Sequence, residues 1–154
     1  MKNKILLAMI TTISINLPLC AADVSGSAPA PKLTILEPQN GATVPATFTV
    51  KFGATGVDIV PVGGEHAEHN HDAHHDHAAN PMGHFHLLTD ADSLPSADKP
   101  MPANANLVHL MQGQTETTLT LSPGKHTLQL VLGDSSHMMG AAPVVSKKIT
   151  IVVK

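Results

Sequence analysis

Short runs in which apolar and polar residues alternate follow one another along most of the chain, and turn-forming residues separate them. Apolar side chains at every second position lie on one face of a β-strand. The alternation is cleanest at Leu119 and Leu121, before a Pro-Gly turn, and at Leu128, Leu130 and Leu132 after it. The runs that predict strands are "KLTIL", "TFTVKFGA", "VDIVPV", "HFHLLT", "NLVHLM", "TETTLTL", "KHTLQLVL" and "VSKKITIVVK".

These runs predict an all-β protein. No amphipathic helix is evident, and the spacing leaves no room for helical crossovers. Seven or eight short strands of this kind favour an immunoglobulin-like antiparallel β-sandwich. In such folds a tyrosine often follows the turn and anchors the next strand through its hydroxyl, and here His126 takes that place. We therefore expect His126 to be structural and not a ligand.

The first 22 residues are predicted to be a signal peptide. Two lysines precede an apolar run from Ile5 to about Leu19, and Cys20-Ala21-Ala22 supplies a small-residue cleavage site. A lipid-attached Cys20 is less favoured because the residue before it, Leu19, is not small. We expect a periplasmic or secreted protein that is cleaved after Ala22 and has no membrane span in its mature chain.

The mature chain is predicted to be one domain, with a flexible leader at 23–32 and the sandwich at 33–154. Cleavage would leave seven lysines against twelve acidic residues, a formal charge of −5, which argues against nucleic acid as a partner. It would also remove Cys20, the one cysteine. A disulfide scaffold, a thiol enzyme and a thiolate metal site are thereby excluded, so any metal must be held by histidine, methionine or carboxylate.

A histidine-rich loop is predicted at 63–82, inserted between two strands. Histidine and carboxylate side chains two to four residues apart can wrap a divalent ion in many ways, and copper, zinc and nickel all suit imidazole. We therefore interpret the loop as a collector of metal ions. A solvated linker and a segment that responds to pH are the two alternatives. The histidines of the loop are His66, His69, His71, His74, His75 and His77.

A second set of histidines lies in or beside the predicted strands. In "GHFHLL", His84 and His86 would share one strand face about 6.6 Å apart, while Phe85 and Leu87 face the core. That places the two histidines on the outer or rim side of the sheet. His109 in "LVHLM" and His137, Met138 and Met139 in "GDSSHMMG" are further candidate ligands, although His109 alone could equally be a surface residue. Thioether donors suit copper better than zinc, so copper is the favoured metal.

Several of these motifs together resemble those of the exported family of domains of unknown function numbered 4399 (DUF4399). They are "PQNGATV", "VKFGATGVDIVPVG", "GHFHLLTD", "GQTETTLTLSPGKHTLQLVLGDSSH" and "KKITIVV", and they extend from Leu33 to Val153. The resemblance implies a small periplasmic β-sandwich and no particular reaction. By this resemblance, the family's Gly-His-x-His-Leu-Leu motif corresponds to Gly83–Leu88. A second histidine motif corresponds to His109, and Gly-Asp-x-x-His corresponds to Gly133–His137.

Two departures from the family pattern favour a metal site with softer donor atoms than imidazole alone. A position that is often histidine is Phe85 here, and a further histidine is replaced by Gly140, next to Met138 and Met139. The histidine-rich loop looks like an insertion that supplies ions to the domain.

The predicted function is a periplasmic protein that binds metal, copper in preference to zinc or nickel, for storage, transfer or detoxification, served by a periplasmic delivery partner. One alternative is an enzyme of the copper-zinc superoxide dismutase type, against which stand the absent disulfide and the absence of arginine. Another is an immunoglobulin-like interaction module that binds no metal.

Overall fold

The computed structural model describes residues 29–63 and 80–154, and in these ranges the regular secondary structure is β-strand. No helix in this part of the chain has the length and apolar character needed to cross a membrane. The strands are β1 Lys32–Glu37, β2 Thr43–Val44, β3 Thr47–Thr55, β4 Asp58–Ile59, β5 Met82–Thr89, β6 Leu107–Leu110, β7 Glu116–Thr120, β8 Gly124–Gly133 and β9 Ile149–Val153.

Two sheets form a sandwich. The smaller sheet has the order β1-β3-β7, and the larger has the order β2-β9-β8-β5-β4, with β6 also paired to β5. One of the two sheets is curled into a half-barrel. Most pairs are antiparallel, as predicted, while the two short pairs β2 with β9 and β4 with β5 are parallel. The all-β sandwich expected from the alternating pattern is therefore confirmed.

The main core fills the space between the two sheets. Leu128 and Leu130 on β8 are fully buried there, as are Phe85 and Leu87 on β5, so the faces predicted from the alternation are correct. The smaller sheet contributes buried residues such as Val50 and Phe52. Phe52 and Phe85 meet across the sandwich with ring centroids 5.4 Å apart. Burial of these aliphatic and aromatic side chains is the main stabilising contribution to such a fold.

The opposite face of the larger sheet carries a second, smaller apolar cluster. Leu88, Leu107 and Val131 project from β5, β6 and β8, and the buried methionines Met101 and Met139 come from the connecting segments after β5 and β8. These segments have no regular structure of their own, yet they cover the face that would otherwise be exposed to solvent. The larger sheet is therefore buried on both sides near the middle of β5.

His126 anchors the start of β8. Its Nε2 lies 2.9 Å from the carbonyl oxygen of Ser122, and its Nδ1 lies 2.7 Å from Oδ2 of Asp90, which follows β5. A carbonyl and a carboxylate can only accept hydrogen bonds, so both ring nitrogens donate when the ring is protonated. The hydrogen bond to Asp90 is the largest cause of the raised pKa of His126. The predicted structural role of His126 is confirmed, and this histidine is not available as a ligand.

All eight runs predicted from the sequence contain a strand, although "VDIVPV" contributes only the two residues of β4. The alternation does not predict β2, because two residues cannot show an alternating pattern. The leader at 23–32 and the histidine-rich loop at 63–82 fall largely outside the described residues, so these boundaries stay predictions.

Candidate metal centre

Four histidines from distant parts of the sequence converge on one point beside the larger sheet. His84, His86, His109 and His137 each offer one ring nitrogen, and these four nitrogens all lie within 4.8 Å of one another. Ring centroids are 4.4 Å apart for His84 and His86, and 4.8 Å apart for His109 and His137. We call these four residues the histidine centre.

Three strands determine where the first three rings lie. His84 and His86 share one face of β5, and β6 places His109 directly opposite His86 in the antiparallel ladder. On the other side of β5, β8 places Gly133 opposite His84. A Cβ atom at Gly133 would lie 2.2 Å from Cε1 of His86, far closer than atoms can approach. Glycine at this position therefore provides the space that the His86 ring occupies.

The fourth ring is positioned by a tight loop that follows β8. One carboxylate oxygen of Asp134, Oδ1, accepts hydrogen bonds from the backbone amides of Ser136 at 2.8 Å and Met138 at 2.9 Å. The backbone of Asp134 also pairs with the backbones of His137 and Met138. His137 itself has φ of 61°, a left-handed conformation that costs a non-glycine residue free energy. The Asp134 hydrogen bonds offset that cost and hold His137 over the other three rings.

The first two histidines are buried. His84 is 1% exposed and His86 is 0% exposed, whereas His109 and His137 are partly exposed. The prediction that His84 and His86 lie on the outer side of the sheet, opposite Phe85 and Leu87, is confirmed, although both side chains are buried there. They do face away from the main core, but the segments that carry Met101 and Met139 cover that face. An ion would reach the centre from the side of His109 and His137.

Several ring nitrogens of the centre have no hydrogen-bond partner. They are Nε2 of His84, both Nδ1 and Nε2 of His86, and Nε2 of His109. A buried polar atom without a partner costs about 1–3 kcal/mol, so a cluster of four such atoms is unusual in a native protein. A single ion can bond to only one of the two His86 nitrogens, because they lie on opposite sides of the ring. One ring nitrogen from each of the four histidines lies within 4.8 Å of the others, which indicates a single small ligand.

The centre also favours neutral imidazole. Burial lowers the pKa of His86 to about 3 and that of His84 to about 4, with repulsion among the protonated rings as a further cause. Burial also lowers the pKa of His109. Asp134 acts in the opposite direction on His84 but does not outweigh burial. At neutral pH these rings therefore present free lone pairs, which is the form that binds metal ions.

The geometry fits one transition-metal ion. Bonds from such an ion to imidazole nitrogen are about 2.0–2.1 Å long, so two nitrogens on opposite sides of the ion are at most about 4.2 Å apart. The observed separations of up to 4.8 Å mean that each ring has to move inward by less than about 1 Å. Four imidazoles around a point suit copper, zinc and nickel. Hard ions such as Mg²⁺ and Ca²⁺ require oxygen ligands and do not fit.

The two methionines predicted as ligands differ in what the structure shows of them, and their role as ligands stays a prediction. Met139 is 8% exposed and packs in the second apolar cluster. Met138 uses its backbone to close the loop at Asp134. The loop histidines His66, His69, His71, His74, His75 and His77 lie outside the described residues, and their role as ligands stays a prediction.

Sequence reasoning missed two residues that build the centre. The role of Gly133 depends on the register between β5 and β8, which the sequence does not specify. Asp134 stands out in the sequence only as part of a motif, but the Gly-Asp-Ser-Ser composition is typical of a turn in which an aspartate accepts backbone hydrogen bonds. That signal, read beside His137, could have identified the loop.

Comparison with known proteins assigns a family. No curated protein and no solved structure matches the chain. Residues 50–154 match the family described as "Domain of unknown function (DUF4399)", so the match begins within β3, later than Leu33, where the motifs were expected to begin. The matched range contains all four residues of the histidine centre and Asp134. The chain belongs to the DUF4399 family.

Proposed function

We propose that this protein is an exported metal-binding protein that holds one copper ion in the histidine centre, for storage, transfer or detoxification. The observation that carries the proposal is the convergence of four imidazoles, three of which (His84, His86 and His109) have buried nitrogens without hydrogen-bond partners. A protein that used these histidines only for packing would pair their nitrogens with backbone or side-chain groups, as His126 does.

Copper is proposed over zinc and nickel because of the donor chemistry near the centre. Imidazole binds all three metals, whereas thioether sulfur is a soft donor that suits copper in its reduced state. The segments that cover the centre contain buried methionines. Export to the periplasm is proposed from the apolar run and small-residue site within the first 22 residues.

The histidine-rich loop is proposed to gather ions and pass them to the centre. Both of its described ends lie near strands of the centre. The amide of Val62 donates to the carbonyl of Met111, which follows β6, at 2.8 Å. On the returning side, the amide of Asp58 donates to the carbonyl of Pro81, next to the start of β5, at 3.0 Å. Tethering a second group of metal ligands close to the centre raises the effective concentration of ions at the centre.

Calorimetric titration with Cu(II) tests the proposal. The chain lacking residues 65–79 removes the loop histidines, and we expect it to bind one ion per molecule. H109A and H137A should weaken that binding by roughly 100-fold, because each removes one of four ligands. These two positions are partly exposed, so their replacement disturbs packing less than that of His84 or His86.

H126Q is the matched control, since His126 lies outside the centre and its nitrogens are engaged elsewhere. Its Cu(II) affinity should equal that of the parent chain. Absence of binding in the chain lacking residues 65–79, or equal affinities in H109A, H137A and H126Q, would refute the proposed site. The copper-loaded chain should also be assayed for superoxide dismutation, which separates a binding protein from a dismutase-type enzyme.

A further inference from the structure

A methionine that was not among the predicted ligands lies against the most buried ring of the histidine centre. Met101 is 4% exposed and belongs to the second apolar cluster. The position that a Cβ atom would occupy at Gly133 is 2.6 Å from Cε of Met101 and 2.2 Å from Cε1 of His86. Because Gly133 has no side chain, a gap remains at this position. The thioether methyl group of Met101 and the imidazole of His86 fill it from two sides.

The same gap brings Met101 close to a nitrogen that needs a partner. Nδ1 of His86 lies 2.6 Å from the Cβ position at Gly133, and neither nitrogen of this ring has a hydrogen bond. The thioether sulfur is bonded directly to the Cε atom of Met101, which fills the gap beside the most completely enclosed ring of the centre. Two other methionines near these strands, Met82 and Met111, are 43% and 46% exposed and so are not enclosed with the rings.

The backbone of Met101 is tied to another member of the centre. Its amide donates to the carbonyl of His137 at 2.9 Å, so the segment that carries the thioether and the loop that carries the fourth imidazole are joined directly. The next residue, Pro102, acts through its backbone on the ring of His109. Residues 101 and 102 therefore contact three of the four histidines, and Met101 is held at the centre by more than apolar packing.

We propose that the thioether sulfur of Met101 is an additional ligand of the histidine centre and that it makes the centre selective for Cu(I) over Zn(II). This inference rests on the metal-binding function proposed above and replaces Met138 and Met139 as the source of the soft donor. Sulfur of this kind stabilises Cu(I), whereas Zn(II) gains little from it. A purely structural methionine at this position would affect both ions alike.

X-ray absorption spectroscopy of the chain from residue 23 onward, which lacks Cys20, with one equivalent of Cu(I) under anaerobic conditions gives a direct readout. We expect one sulfur neighbour of copper in the wild type and in M139L, and nitrogen neighbours alone in M101L. Leucine has nearly the volume of methionine, so both variants should fold, and M139L removes a buried methionine from the same apolar cluster. The segment at 65–79 contains no methionine and cannot supply the sulfur signal. A sulfur signal that persists in M101L, or is absent from the wild type, overturns the inference.

Competition titrations of Cu(I) and Zn(II) against chromophoric chelators test the selectivity. M101L should weaken Cu(I) binding by roughly tenfold or more and leave Zn(II) binding within about twofold. Equal losses for both ions, or no loss for either, would show that Met101 only packs against His86 and would overturn the inference. If the chain lacking residues 65–79 binds Zn(II) but Cu(I) shows no sulfur neighbour in the wild type, the inference fails and the metal centre stands. If the chain lacking residues 65–79 binds neither ion, both fail.

Discussion

His86 and His109 lie directly opposite each other in the β5–β6 ladder, and their ring centroids are 4.6 Å apart. The two rings approach nearly perpendicularly, and neither Nε2 atom has a hydrogen-bond partner. Cross-strand neighbours of this kind normally gain stability from packing or hydrogen bonds. Here the pair instead presents free nitrogens to His84 and His137, which is the arrangement expected of a site that binds an ion.

Asp134 is predicted to control metal affinity without contacting the metal. D134A removes the acceptor for the amides of Ser136 and Met138, so the left-handed conformation of His137 loses its support. Affinity for Cu(II) should fall by roughly tenfold, as is typical when a group that orients a ligand is removed. Calorimetric titration measures this change.

D134N is the matched control because asparagine keeps an oxygen at the same position and can accept both hydrogen bonds. It should recover most of the lost affinity. If D134A binds copper as tightly as the wild type, the loop does not depend on this carboxylate and our account of how His137 is positioned is wrong.

Gly133 is predicted to tolerate no side chain. In G133A the new Cβ atom would overlap Cε1 of His86 at 2.2 Å, so the ring and the Met101 side chain must both move. Overpacking of this kind costs about 1–3 kcal/mol, and we expect a loss of that size in the free energy of unfolding together with loss of copper binding. Urea denaturation and copper titration provide the two measurements.

Gly53, in β3, offers a comparison within the same fold. A Cβ atom there would lie 3.4 Å from Leu36, an ordinary contact with an exposed side chain. G53A should therefore leave copper binding unchanged and alter stability little. Equal behaviour of G133A and G53A would contradict the close approach of His86 to Gly133.

His126 is predicted to stabilise the fold at acidic pH and to lose this contribution as pH rises. Its pKa is raised in the folded protein by the hydrogen bond to Asp90. A raised pKa means that the folded state holds the proton more tightly than the unfolded state. The stabilisation is therefore complete below the ordinary histidine pKa of about 6.5 and is lost as pH rises through the higher folded value.

Urea denaturation of the wild type and H126Q in the presence of a chelator measures this contribution. The difference in free energy of unfolding should be largest below about pH 6 and should shrink toward pH 9. Because both proteins contain the histidine centre, its own titration cancels in the difference. A difference that stays constant or grows with rising pH would show that the His126–Asp90 pair does not act as described.

Metal removal is predicted to destabilise the fold. An ion that binds only the folded state adds about 2.7 kcal/mol when the free metal concentration is 100 times the dissociation constant. Thermal denaturation of the chain lacking residues 65–79 should therefore show a higher Tm with copper than with chelator. In H109A the two curves should nearly coincide, and an equally large increase there would show that copper stabilises the protein from another site.

The alternation of apolar residues made most of the fold predictable. Leu128, Leu130 and Leu132 on β8 and Phe85 and Leu87 on β5 are buried in the main core, as their spacing requires. The burial of His84 and His86 was not predictable in the same way. It results from segments that carry Met101 and Met139, which have no periodic pattern and are held by apolar packing and backbone hydrogen bonds.

The candidate site was predictable in its parts but not in its geometry. The spacing of His84 and His86 places them on one strand face whatever the topology. The position of His109 depends on the β5–β6 register, which Phe85 and Leu110 establish by pairing, and that of His137 depends on a turn held by Asp134. Register and loop conformation are tertiary properties that single-sequence patterns do not specify.

A crystal structure of the copper-loaded protein, with anomalous scattering recorded at the copper absorption edge, tests the central claim most directly. We predict one strong peak about 2 Å from a ring nitrogen of each of His84, His86, His109 and His137. A fully loaded crystal with no peak among these four rings, or with copper bound only elsewhere on the chain, would contradict the account.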